Sequence, residues 1–569
     1  MDQLDELRAF EVELDAALAS RPLLRSADSA RAVVDCVGTV NLALSNPETR
    51  GLGMLLQLGL QVALPELYRR VGDEAVDPAV IASDLVFMGH YYYIRELLYY
   101  TYNAPDTFEW AFSTSSVEVR FKDPSIRAQF ALSMNTAVAT SLEGIERRKE
   151  ISAELHSLLR GAEELGAGEH IERALDLIAS EVDVRLAAKF EMFGGKDSVV
   201  QLPEYSYAAL YEAVHYLLMK VLYHRYYAQA NSIEPCFRFR RDELIRETAW
   251  NSGVDATLVA RIIGDLSYSD ANKSLPPMYF GLIESPDHAE ILIAPDAFVD
   301  CDYFTQVLRV QAKRSPDWFL GNLSGRLGDR FNEVVAAQLE GAGFAVKRNV
   351  VLAGIDPTVP DIDIQAISPE PTLGYYVFLC EAKGSIPGLW AKDHLRVLHP
   401  NSIPKAFAQV EKIVALLDSD DGREFFVDLV QASVDTSVPE GVIVGRAIIV
   451  TSQNNGMFFS GDGYRATIID YHTFAHLLRR CDGDVLYLLH AFKEAPERFG
   501  KTGLAICEFT VGDRQVRYET QAFDSGSFVP FREDHVWRSD GSDVRAGKEF
   551  FESGGSPFDV MKYWETKRE

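Results

Sequence analysis

Two acidic residues on one strand and a Glu-Ala-Lys at the end of the next are the side chains here best suited to hydrolytic chemistry. Both lie in PDIDIQAISPEPTLGYYVFLCEAKG, residues 360–384. Asp361 and Asp363 alternate with Ile362, Ile364 and Ala366. An extended strand therefore puts the two carboxylates on one face and these apolar side chains on the other. Ser368-Pro369-Glu370-Pro371 predicts the turn, and the apolar run 376–380 predicts a short buried strand. Glu381 and Lys383 share a face about 6.5–7 Å apart. If the strands pair, three or four charged groups converge. Clustered carboxylates near a sheet core repel and are poorly solvated. A divalent cation relieves both costs, and carboxylate oxygens suit Mg²⁺ (or Mn²⁺), which keeps waters for its substrate. A nearby lysine can orient an attacking water, favour its deprotonation, or stabilise charge on a phosphate.

These residues need elements to hold them. Upstream, residues 328–350 predict a helix with Phe331, Val334, Val335, Leu339 and Ala342 at helical spacing, Gly343 past its end, and a short strand carrying Arg348 and Asn349. Downstream, residues 403–417 predict an amphipathic helix with Phe407, Val410, Val414 and Leu417 inward, and Lys405 and Gln409 on its polar face. Residues 441–452 predict another strand, and 466–480 a strand followed by a helix.

With these surroundings, PDID…EAK resembles the PD-(D/E)xK nuclease superfamily of restriction-endonuclease-like fold, in particular its type IV restriction and resolvase-like branch. The resemblance covers roughly residues 305–480, about a third of the chain. It implies an α/β core with a mixed central sheet. It further implies that Asp363, Glu381 and the Ala382 backbone carbonyl hold the metal while Lys383 positions water for in-line attack on a phosphodiester. Asp361 is then a second ligand or a neighbour. Gln409 either steadies the site, as in some relatives, or belongs to a solvated helix face. Many relatives carry Glu directly after the helix aromatic. Here that place is Asn332, and the acid comes one later at Glu333, which helical geometry turns away from the apolar stripe.

The 569 residues suffice for three or four domains. A hydrophobic content of 47% and a charged content of 25% are those of an ordinary globular protein. The opening MDQLDELRAFEVELD is acidic and amphipathic, unlike a secretory leader. The most apolar early stretch, 51–64, is short and contains Gln57 and Gln61, so no membrane span is expected. Six scattered cysteines without a CxxC predict a reduced, cytoplasmic protein with no zinc site. The net charge of −28 is unusual for a nucleic-acid enzyme. Its distribution is uneven: residues 305–415 carry 12 Lys+Arg against 11 Asp+Glu, and the rest 44 against 73.

The chain predicts a multidomain α + α/β protein in four parts. Residues 1–230 form a helical domain, a scaffold or site for a protein partner or a second copy. Its tyrosine-rich segment 91–102 invites a base-stacking reading, but with only Arg95 interleaved it favours packing. Residues 231–304 form a helix-turn-helix or winged-helix-like module, with helices in 244–266, Gly253 in the turn, and ILIAPDAFV supplying strands. Asp255 and Asp265 on its second helix argue against phosphate contact. A glycine-containing connector with Lys313, Arg314, Arg326 and Arg330 spans 300–330, where the basic residues are candidates for backbone phosphates. The nuclease-like domain covers 305–500, and 501–569 holds strands and a polar tail. His472 and His476 have zinc-like spacing but lack a third ligand. Gly500-Lys501-Thr502 lacks the first glycine and the preceding strand of a phosphate-binding loop.

The function expected is a metal-dependent endonuclease acting on DNA rather than RNA, in a restriction or anti-phage setting suggested by the resemblance. The competing expectations are a catalytically degenerate nuclease fold serving as a scaffold, and an RNA-directed nuclease.

Overall fold

The computed structural model describes residues 3–521, apart from 26–27, 47, 70–73, 125, 128–129, 131–144, 161–167, 191–197, 199, 371–373, 387, 389, 435–442, 454, 456–457, 460–465, 482–484, 486–487, 489–490 and 493–503. The chain is a mixed α/β protein with three sheets among the described residues. It forms two compact units, one from residues 1–120, 144–324 and 506–518, the other from 121–143, 325–505 and 519–569.

The first unit begins with helices α1 (Gln3–Ala19), α2 (Ser29–Ser45), α3 (Arg50–Leu67) and α4 (Pro78–Asn103). Leu56, Leu60, Ala63, Leu64 and Leu67 of α3 and Ile81, Leu85 and Met88 of α4 recur every three or four residues and are buried together. Two glycines let these helices touch through their backbones. A Cβ on Gly59 would lie 2.2 Å from the Leu85 carbonyl oxygen, and one on Gly89 2.3 Å from that of Leu55. Gly59→Ala is therefore expected to cost roughly 2–3 kcal/mol in urea unfolding, overpacking outweighing the gain in helix propensity. Gly264→Ala, whose Cβ meets nothing within 4 Å, is expected to be neutral or stabilising. Equal effects of the two would refute the close-contact account.

Several tyrosines of α4 have partners within the protein, while Tyr99 and Tyr102 are partly exposed. Tyr91 Oη donates to Asp15 at 2.8 Å, Tyr102 Oη donates to Glu11 at 3.0 Å, and Tyr100 is buried. Strands β1 (Phe108–Phe112) and β2 (Ser116–Phe121) follow, then α5 (Ile145–Leu159), α6 (Gly168–Phe190) and α7 (Tyr207–Asn231).

Next come β3 (Arg238–Arg240), α8 (Arg241–Ser252), α9 (Ala256–Leu266), β4 (Ser267–Tyr268), β5 (Leu282–Glu284) and β6 (Glu290–Leu292). The strands form a small sheet in the order β3-β6-β5-β4. Gly253 closes α8 at φ 69°, in the left-handed region that glycine adopts freely. ILIAPDAFV departs from expectation. Its first residues belong to β6, but Pro295–Asp300 is helical, with proline at the helix start where it is favoured. Asp265 is not displayed to solvent either. It accepts from Tyr205 at 2.7 Å and Gln311 at 3.0 Å, and pairs with Arg314.

The expected connector over 300–330 is corrected. Residues Tyr303–Arg314 are a helix, α10, with every side chain from Tyr303 to Gln311 buried. Helical turns continue through Pro316–Phe319 and Leu320–Ser324. Asp302 caps α10 by accepting from the Thr305 amide, and Tyr303, Phe304, Val307 and Leu308 supply the apolar stripe that makes it a core helix. Arg314 is held by Asp265 and Asn272, which removes it as a phosphate contact. The units divide after Ser324 rather than before residue 305.

The second unit contains α11 (Gly325–Gly341), β7 (Ala345–Val350), β8 (Ile362–Glu370), β9 (Gly374–Lys383), α12 (Ile403–Asp418), α13 (Asp420–Ser433), β10 (Ile443–Thr451), β11 (Ala466–Asp470) and α14 (Tyr471–Cys481). Its sheet runs β11-β10-β9-β8-β7. β7, β8 and β9 are antiparallel, whereas β9, β10 and β11 are parallel. Val377 and Leu379 of β9 pack with Phe407, Val410, Val414 and Leu417 of α12. On the opposite face Phe378 meets Phe344, 5.4 Å between ring centroids.

The predicted turn at 368–371 is also corrected. β8 continues through Glu370, with Ser368, Pro369 and Glu370 opposite Tyr376, Tyr375 and Gly374. Pro369 is tolerated because β7 pairs only as far as Ala345 opposite Ile367, leaving that edge of β8 without a ladder to interrupt.

The last strands, β12 (Leu504–Val511) and β13 (Arg514–Gln521), return to the N-terminal part of the chain, and β13 lies parallel to β2. There Tyr518 stacks on Tyr93, and its hydroxyl is 2.8 Å from His90 Nδ1. Gly500-Lys501-Thr502 and the polar tail lie outside the described residues. No helix among the described residues is long and apolar enough to cross a membrane.

Candidate active site

The antiparallel register of β8 and β9 brings Asp363 and Glu381 together. Ile364 is opposite Cys380, so one step back places Asp363 opposite Glu381. On β9, Leu379, Glu381 and Lys383 alternate with Cys380 and Ala382, and their face is covered by α12. Asp363 Oδ2 accepts from the Ala382 amide at 3.0 Å. Lys383 Nζ donates to Glu381 Oε1 and, at 3.3 Å, to Gln409 Oε1 of α12. The structure thus gathers Asp363, Glu381, Lys383 and Gln409.

Asp361 is placed differently. It precedes β8, is exposed, and its Oδ1 accepts from the Leu352 amide at 3.0 Å, closing the β7–β8 connection. Glu333 is exposed on α11 and pairs with Arg330 at 2.9 Å and Arg348 at 3.6 Å, as its helical position requires. His472 and His476 lie on α14. Among the described residues no three His, Cys, Asp or Glu side chains form a metal-holding group.

The electrostatics follow from burial. Glu381 is only 4% exposed. Burial raises its pKa above the ordinary carboxylate value, the Asp363 charge raises it further, and Lys383 and Lys405 oppose the rise. Asp363 is raised by burial too, against the Ala382 amide and Lys383. Two poorly solvated carboxylates share one face, with the half-buried Lys383 and the exposed Lys405 to balance them.

The donor set fits a hard divalent cation. Asp363 Oδ1 and Glu381 Oε2 have no hydrogen-bond partner among the described residues. In an extended strand a residue's N–H and C=O point to the same edge, so the Ala382 carbonyl lies on the side where Asp363 takes its N–H. Two carboxylates and a carbonyl make a partial cage, which suits Mg²⁺ because that ion retains several waters.

One residue in this neighbourhood was passed over in the sequence. Gln365 follows Asp363 by two and is wholly buried, with neither amide atom hydrogen-bonded among the described residues. The available signal was a lone long polar side chain within the apolar run Ile364–Ile367.

No protein-family model, no curated protein and no solved structure matches the chain.

Proposed function

We propose that residues 325–481 carry a metal-dependent nuclease of the PD-(D/E)xK kind, hydrolysing phosphodiester bonds with DNA as the favoured substrate. The observation that supports this most is Lys383 Nζ held between Glu381 and Gln409, on the face where Asp363 stands opposite Glu381.

Asp363, Glu381 and the Ala382 carbonyl would hold Mg²⁺, which when bound supplies charge neutralisation at the phosphate and an acidified water. The other roles belong to this chain. Gln409 accepts one Lys383 N–H and so fixes the ammonium, which is left with a proton to donate to the attacking water's oxygen. That hydrogen bond orients the water in line with the leaving oxygen and favours loss of its proton. As charge builds on the phosphoryl oxygens, the same ammonium stabilises it. Cleavage leaves 5′-phosphate and 3′-hydroxyl ends. A restriction or anti-phage role is what the resemblance suggests.

A second reading has its own support. The Glu381–Lys383 pair is already complete as an ion pair, and no third carboxylate joins it among the described residues. That arrangement suits a nuclease fold retained as a scaffold.

The test is purified protein incubated with supercoiled plasmid, single-stranded DNA and RNA in Mg²⁺, Mn²⁺ or EDTA. Metal-dependent scission of DNA is the expected result. Scission of RNA alone would move the substrate class. No scission, together with no metal binding in calorimetry, would leave the scaffold.

A further inference from the structure

Lys405 stands in the first turn of α12, one turn before Gln409, whose Oε1 accepts from Lys383 Nζ. Residues at i and i+4 share a helix face, with about 5–6 Å between their Cβ atoms. Lys405 is thus the next side chain along the face that steadies Lys383. It is exposed and makes no hydrogen bond or ion pair among the described residues. Its charge nevertheless acts on Glu381, where it joins Lys383 in opposing the rise of that carboxyl's pKa. Helix stability does not explain a lysine here. The first turn lies at the positive end of the macrodipole, which disfavours a cation, and no acid in that turn offsets it. The local composition runs the same way. The chain as a whole carries a net charge of −28, yet residues 383–412 hold five Lys+Arg against two Asp+Glu. A polyanion meeting this acidic protein finds attraction in that segment.

We infer that Lys405 binds a non-bridging oxygen of the phosphate next to the scissile one and so sets the register of a DNA backbone over the site. Lys383 and the carboxylates serve the phosphate that reacts. Lys405, a helical turn from Gln409 and open to solvent, serves its neighbour. A lysine ammonium is a mobile point charge with three donors, so it takes a phosphate without the fixed fork that arginine presents. A contact of this kind positions the duplex and carries no sequence information. It contributes affinity by displacing a condensed counterion, and that contribution fades as salt rises.

This inference rests on the nuclease reading, and its test separates the two. Binding of the full chain to two short DNA duplexes of unrelated sequence is measured by fluorescence anisotropy across a salt series. Ca²⁺ replaces Mg²⁺ as the oxygen-bound ion. Cleavage kinetics are measured separately at saturating Mg²⁺. For Lys405→Ala, the slope of log affinity against log salt is expected to fall by about 0.9 on both duplexes, and KM to rise while kcat holds. Lys405→Arg is expected to keep the wild-type slope. Arg173→Ala removes the same charge from an exposed ion pair with Glu154 and is expected to keep it too. An unchanged slope in Lys405→Ala, or an equal fall in Arg173→Ala, overturns this inference and leaves the nuclease reading standing wherever wild type cleaves. A lower kcat with an unchanged slope would confine Lys405 to acting through Glu381 and also overturns it. A wild type that neither binds nor cleaves DNA overturns both.

Discussion

Lys383→Ala and Asp363→Asn are each expected to slow metal-dependent cleavage by about a hundred- to a thousandfold without unfolding the protein. The two substitutions fail for different reasons. Asp363→Asn keeps an oxygen to accept the Ala382 amide, so the strand pairing survives, but it removes a charged hard ligand. Lys383→Ala leaves both carboxylates in place and removes the one ammonium that touches Glu381 and Gln409. Glu381 then loses a charge that holds its pKa down, so metal binding at a given pH weakens along with the chemistry. Glu333→Ala is the control. Its carboxylate sits at the surface in ion pairs with Arg330 and Arg348, and exposed pairs of this kind contribute little. Its rate is expected within about twofold of wild type. Wild-type rates for Lys383→Ala or Asp363→Asn in a plasmid-nicking assay would end the assignment. A large loss in Glu333→Ala would move the ligand set onto α11.

The second large effect is on stability. Burial raises both Asp363 and Glu381. A carboxyl whose folded pKa lies above its unfolded value destabilises the fold once it must ionise. The metal-free protein is therefore expected to be most stable, with respect to these groups, below the ordinary carboxylate range. It should lose that advantage as pH rises from the unfolded value through the raised folded one. Glu381→Gln removes one of the two ionisations. Near pH 7 it should raise the unfolding midpoint of the metal-free protein and flatten the decline with pH. Mg²⁺ reverses the order. At a hundred times its dissociation constant it should stabilise wild type by about 2.7 kcal/mol and leave Glu381→Gln unmoved. Thermal unfolding with and without Mg²⁺, from pH 4 to 8, reads both effects. A wild-type midpoint indifferent to Mg²⁺ would refute the metal site. A Glu381→Gln protein that still responds would remove Glu381 from it.

Much of the candidate site was written in local pattern. Alternation placed Asp363 among buried isoleucines, and the spacing of Glu381 and Lys383 put both on one strand face, because a strand's side chains repeat every two residues whatever it pairs with. Helical spacing put Gln409 on the polar side of the same helix that turns Phe407 and Val410 inward. Gly253 was legible as a turn because few other residues accept φ 69°.

What only the tertiary structure decided depends on partners distant in sequence. Asp361 and Asp363 look alike in the strand pattern, yet one is committed to the Leu352 amide and the other to that of Ala382. Pro369 read as a turn, because nothing local reveals that β7 stops short of it. Residues 303–314 read as a connector because the core they fill is built from segments far from them in sequence. The parallel pairing of β13 with β2 joins residues about four hundred apart, a contact that neither strand's own pattern encodes. Gln365 is the sharpest case. A glutamine in an apolar run is ordinary as sequence, and becomes significant only when packing seals it from water beside two carboxylates, since the cost of an unmet hydrogen bond is set by burial and not by residue type.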